Sequence, residues 1–97
     1  MRAQHLAARH ILASPTVAAR AAPHVREDGF DWEALFAEAE SMSGGEQVLL
    51  RIAYDLCEAE GVVGVWELPE RLDRRNFERV VEALGICRWE PSLEAAA

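Results

Sequence analysis

The sequence predicts an all-α fold, a compact bundle of four or five short helices with minimal β-structure. Two observations carry the prediction. Apolar residues recur at helical spacing in three stretches, 32–41, 45–60 and 74–84, and a helix-starting residue, Asp31, Ser43 or Asp73, stands one or two positions before each of them. With 97 residues and 51% hydrophobic side chains, the chain suffices for one domain with a thin core, too small for a roomy internal active site.

The first element is an alanine-rich helix over about 2–13 with a weak apolar face of Leu6, Ile11 and Leu12. Ser14 reads as an N-cap with Pro15 at the first helical position, opening a short helix that ends near Ala22, before Pro23. Residues 27–29 form a turn. Asp31 caps the next helix, where Trp32, Leu35, Phe36 and Ala39 make the i, i+3, i+4, i+7 stripe. Ser43-Gly44-Gly45-Glu46 fits the capping box, in which serine and glutamate satisfy each other's free amides. The helix it opens carries Val48, Leu49, Ile52, Ala53 and Leu56 and is expected to stop at Gly61.

A short helix from Glu67 to Leu72 tolerates Pro69 in its first turn. Asp73 then caps a helix over 74–84 whose core stripe is Phe77, Val80, Val81 and Leu84, with Gly85 as its stop. Ile86 to Trp89 is expected to be extended. Of the tryptophans, Trp32 reads as core, and Trp66 and Trp89 as closures of its ends. The expected organisation is a basic helical segment 1–26, an acidic helical core 27–90 and a flexible tail 91–97.

Charge is divided along the chain. Residues 1–26 hold four arginines and no acid, and the remainder sets six arginines against all 17 acids, for a net charge of -7. An acidic body repels phosphate backbones, so nucleic acid is an unlikely partner. The lysine-free, alanine-rich composition resembles the codon bias of a GC-rich genome, and a bacterial source is expected. No secretory apolar run precedes the domain, and Cys57 and Cys87 sit in apolar surroundings, so reduced thiols and a cytoplasmic location are expected. No apolar run reaches the roughly 20 residues of a membrane helix.

Catalytic chemistry finds little support. His5, His10 and His24 form no metal-ligand spacing with each other or with the cysteines, and no C-x-x-C, G-x-S-x-G or dinucleotide fingerprint occurs. No catalytic residue, metal or cofactor is expected, and the chain is expected not to be an enzyme. Met42 to Gln47 resembles the signature motif of ABC and SMC-type ATPases, and the similarity extends over residues 42–84. The resemblance implies a helix start that faces a nucleotide phosphate. The chain departs from that family in having no G-x-x-x-x-G-K-[ST], and Trp66-Glu67 stands where the paired acids belong. The capping box alone accounts for Ser43 and Glu46.

Two functions remain. The first is a small non-enzymatic protein-interaction or regulatory domain, expected to form a homodimer in which the basic segment 1–26 contributes to the contact. The alternative is a nucleic-acid-associated protein, because the order of elements from Gly61 to Trp89 resembles a helix-turn-helix core. In that alternative Arg74, Arg75, Asn76 and Arg79 supply the contacts. Glu78 and Glu82 share their helix face and oppose it. If Ser43 is a cap, Ser43→Ala lowers stability by about 1 kcal/mol in a denaturant titration and changes no nucleotide affinity.

Overall fold

The computed structural model describes the backbone of residues 3–96 and the side chains of residues 3–89. Its helices are α1 (Ala3–Leu12), α2 (Ala18–Ala21), α3 (Trp32–Ala39), α4 (Gly44–Glu58), α5 (Glu67–Arg71) and α6 (Arg74–Ala96). A single 3-10 turn, Ala22–His24, follows α2. Two-residue strands β1 (Val25–Arg26) and β2 (Gly29–Phe30) then pair antiparallel around Glu27-Asp28, with Val25 opposite Phe30. The bundle is mostly helical, as the stripes and caps predict, and this small hairpin is the β-structure among the described residues.

The layer order differs from the expected one. Besides the helices whose stripes predict the core, α1 lies in the middle of it, packed extensively against both α6 and α4, while α4 and α6 touch only slightly. Ala7, Ala8, Ile11 and Leu12 of α1 are buried with Leu49, Ala53 and Val80 in one cluster. The physical reason is size. An alanine face gives a weak hydrophobic stripe on paper, yet it lets two neighbouring helices approach closely, since interaxial distance is set by the side chains at the contact.

Local chemistry fixes the joints. Both halves of the capping box form: the Glu46 amide donates to Ser43 Oγ at 3.2 Å, and the Ser43 amide donates to Glu46 Oε1 at 2.8 Å. Gly45 has a packing role, because a Cβ there would lie 2.8 Å from the carbonyl oxygen of Arg71. The start of α4 thus abuts the end of α5. Asp31 caps α3 through the Ala34 amide at 3.1 Å.

Three expected boundaries are corrected. Ser14 does not cap a helix: its buried hydroxyl donates to Asn76 Oδ1 at 2.7 Å, tying the link after α1 to α6, and α2 starts only at Ala18. Helix α4 ends before Gly61, capped by Ala59 in the left-handed conformation at φ 55°. Helix α6 runs through Gly85 rather than stopping there, across the expected extended link and through the expected tail to Ala96, with Ala97 outside the described residues. A glycine inside a helix costs about 1 kcal/mol relative to alanine. Packing of the partly buried Ile86 and Cys87 against the core offsets it.

Asn76 is the buried hinge of this arrangement. Its amide caps onto Asp73 Oδ1 at 2.8 Å, and its side chain accepts from Ser14. Asn76→Ala leaves the Ser14 hydroxyl without that acceptor and is expected to cost about 1–3 kcal/mol. The check is thermal unfolding, where each kcal/mol moves the midpoint by roughly 4–8 °C in a domain of this size.

Candidate functional surfaces on helix α6 and at the His5 pocket

The four residues of the nucleic-acid alternative do not form one free face. Asn76 is buried in the Ser14 hydrogen bond, and Arg79 donates through Nη1 to the His10 carbonyl at 2.8 Å. Arg74 is exposed but pairs with Glu78 at 3.2 Å, one helical turn on. Arg75 alone is exposed without a described salt-bridge or side-chain hydrogen-bond partner. Two of the four therefore hold α6 onto the N-terminal segment. Glu82, on the same helix face, does the same work, 2.7 Å from His10 Nε2.

What the structure leaves open on α6 is apolar. The residues expected in the core divide. Val80 is buried against the bundle, together with Ala83, which the stripe did not include, whereas Phe77, Val81 and Leu84 are 37%, 52% and 46% exposed. The sequence could not separate them, because a helix with apolar residues at 77, 80, 81 and 84 has a stripe wide enough to face two neighbours, and among the described residues only α1 packs extensively against it. Trp89 continues the exposed side. Its ring lies over Gly85, within 3.4 Å of where a Cβ would stand, so it does not close the core.

A second apolar projection is the link between α4 and α5. Val65 and Trp66 are 84% and 61% exposed, contrary to a core-closing role for Trp66. The loop beneath them is braced. Asp55 accepts from the Val62 and Val63 amides, and Arg51 donates to the Val62 carbonyl. Buried Glu67 accepts from the Gly64 amide at 3.0 Å and pairs with Arg51 at 3.0 Å and Arg71 at 3.5 Å. The Gly64 hydrogen bond first, and the Arg51 contacts next, hold the Glu67 carboxyl below the usual glutamate range. Arg71 also sits over the Trp66 ring, 5.7 Å from its centroid.

A pocket of about 610 Å³, open to solvent, lies where the start of α1, the hairpin and the end of α4 meet. It brings His5 to the same wall as Cys57, a pairing with no trace in sequence spacing. The pair is not set up as an activated nucleophile. A thiolate–imidazolium couple lowers the thiol pKa and raises that of histidine. Here burial pushes Cys57 up to about 11, and burial, with Arg9, pushes His5 down. His5 Nε2 is buried and has no hydrogen-bond partner among the described residues, and the ring stacks at 4.5 Å on Phe30. Burial raises Cys87 as well. No group of three potential metal ligands occurs among the described residues.

No protein-family model, no curated protein and no solved structure matches the chain. No described helix is long and apolar enough to cross a membrane.

The chemistry of Cys57 is directly measurable. Its pKa rises from 9.0 to about 11, so its thiolate fraction at pH 8 falls by about 100-fold. Alkylation by iodoacetamide, followed by mass spectrometry, is expected to be slower than for free cysteine by about tenfold or more, since the higher nucleophilicity of a high-pKa thiolate offsets part of the lost thiolate fraction. Alkylation of folded protein at the free-cysteine rate contradicts a partly buried, unactivated thiol.

Proposed function

We propose that the protein is a small non-enzymatic interaction domain that binds a protein partner through the outward face of α6. The observation that carries this reading is the exposed row Phe77, Val81 and Leu84 on a helix already anchored by its neighbouring face through Asn76, Val80 and Ala83. Scattered exposed apolar residues need no explanation, but aligned ones at i, i+4, i+7 form a stripe that water solvates poorly and that a second helix covers well. The helix is also held rigidly by Asn76, Arg79 and Glu82, which lowers the ordering cost of binding.

The nucleic-acid alternative has weaker support. Asn76 and Arg79 are engaged inside the fold, and Glu78 and Glu82 lie among the remaining arginines. The ATPase resemblance loses its need as well, since the capping box and the contact of Gly45 with Arg71 account for the motif.

Position-specific photo-crosslinking tests the proposal. A benzophenone amino acid at Val81 is expected to give a discrete protein adduct, and the same group at exposed Glu33 on α3 is expected to give none. Equal labelling at both positions, or binding of duplex DNA at low salt that weakens steeply as salt rises, counts against it.

A further inference from the structure

The outward face of α6 has a pattern that identifies its occupant. Phe77, Val81, Leu84 and Arg88 follow one another at spacings of four, three and four, and all four are exposed. That spacing reads the same in both chain directions. It is also the 3.5-residue repeat by which two helices interlock side by side. A helix that runs antiparallel to α6, carries the same residues and is related to it by a twofold axis therefore meets it in register along the whole row.

We propose that this face pairs with α6 of a second copy of the chain, antiparallel, about a twofold axis between Glu82 and Ala83; the inference rests on the interaction reading above. In that register Val81 packs on Leu84 of the second copy, and by symmetry Leu84 on its Val81. Phe77 lies opposite Arg88 of the second copy, where a guanidinium suits an aromatic face. Glu78, one position along and exposed, stands beside the same Arg88; its carboxylate, which accepts from Arg74 through Oε2, offers Oε1 to the second copy's guanidinium. The end layers thus match an aromatic ring and a carboxylate on one copy with an arginine on the other, twice.

Competing registers lack this match. Shifting the axis to Val81 sets Arg74 against Arg88 of the second copy, and a parallel pairing sets each residue beside its own counterpart, arginine on arginine and glutamate on glutamate. The segment 1–26, expected from sequence to make the contact, is already packed within its own chain. The interface is short and the two bodies are each strongly acidic. A weak dimer follows, with a dissociation constant of about 10–100 µM, tighter at higher salt as repulsion is screened.

Sedimentation equilibrium between about 5 and 500 µM tests the pairing. The wild type is expected to pass from monomer to dimer across that range. Val81→Glu is expected to stay monomeric with unchanged circular dichroism, since Val81 is half exposed and leaves the core intact. Glu78→Arg and Arg88→Glu are each expected to weaken dimerisation about fivefold or more, and the double exchange to restore it. A wild type that stays monomeric throughout overturns the second-copy inference, and a Val81 crosslink to a different protein then leaves the interaction reading standing. A dimer insensitive to Val81→Glu, or a double exchange no better than the singles, overturns the register.

Discussion

The structure depends on a helix thin enough to be shared. Helix α1 fills the space between α4 and α6, which barely touch each other. A larger face would hold those helices apart and open the core around it. Ala7 and Ala8 on α1, Ala53 on α4 and Ala83 on α6 are all fully buried, so small side chains recur on each of the three helices. Ile11, Leu12, Leu49 and Val80 then fill what the alanines leave. In a domain of 97 residues, where little surface is buried, one shared helix contributes to two interfaces at once.

The division of charge along the chain becomes a division between faces in contact. The basic first quarter lies against the acidic remainder through specific pairs: His10 with Glu82, His24 with Glu38, and Arg20 with the Ser41 carbonyl and hydroxyl. Exposed pairs of this kind contribute little energy each, and salt screens them. Their effect is on register. Buried Ser14 and Asn76, joined at 2.7 Å, add a fully buried polar contact between the N-terminal segment and α6. An unpaired group there would cost its full desolvation, which selects a single alignment of the two segments.

The same geometry explains why the arginine cluster of α6 is not a free recognition surface. A residue pattern on a helix states which residues share a face, and says nothing of what covers that face. Once α1 docks, Asn76 and Arg79 point into the contact and the apolar row from Phe77 points away. The functional face of the helix is therefore the one the hydrophobic pattern assigns to the core. The braced loop bearing Val65 and Trp66 is a second place where apolar side chains are held outward on rigid backbone.

By itself the sequence determined the fold class, the caps at Asp31 and Ser43, and the start of α6 after Asp73, because these depend on spacings of three and four residues along one chain. It also showed where charge of each sign lies. Only the tertiary structure decided that α1 is central, that Ser14 serves Asn76 rather than its own helix, and that α6 continues past Gly85. It alone separated Val80 from Val81, one buried and one exposed. The physical reason is common to all of these. A local pattern fixes the conformation of a segment, but burial is decided by how many neighbours arrive, and α6 has a stripe for two while among the described residues only α1 packs extensively against it.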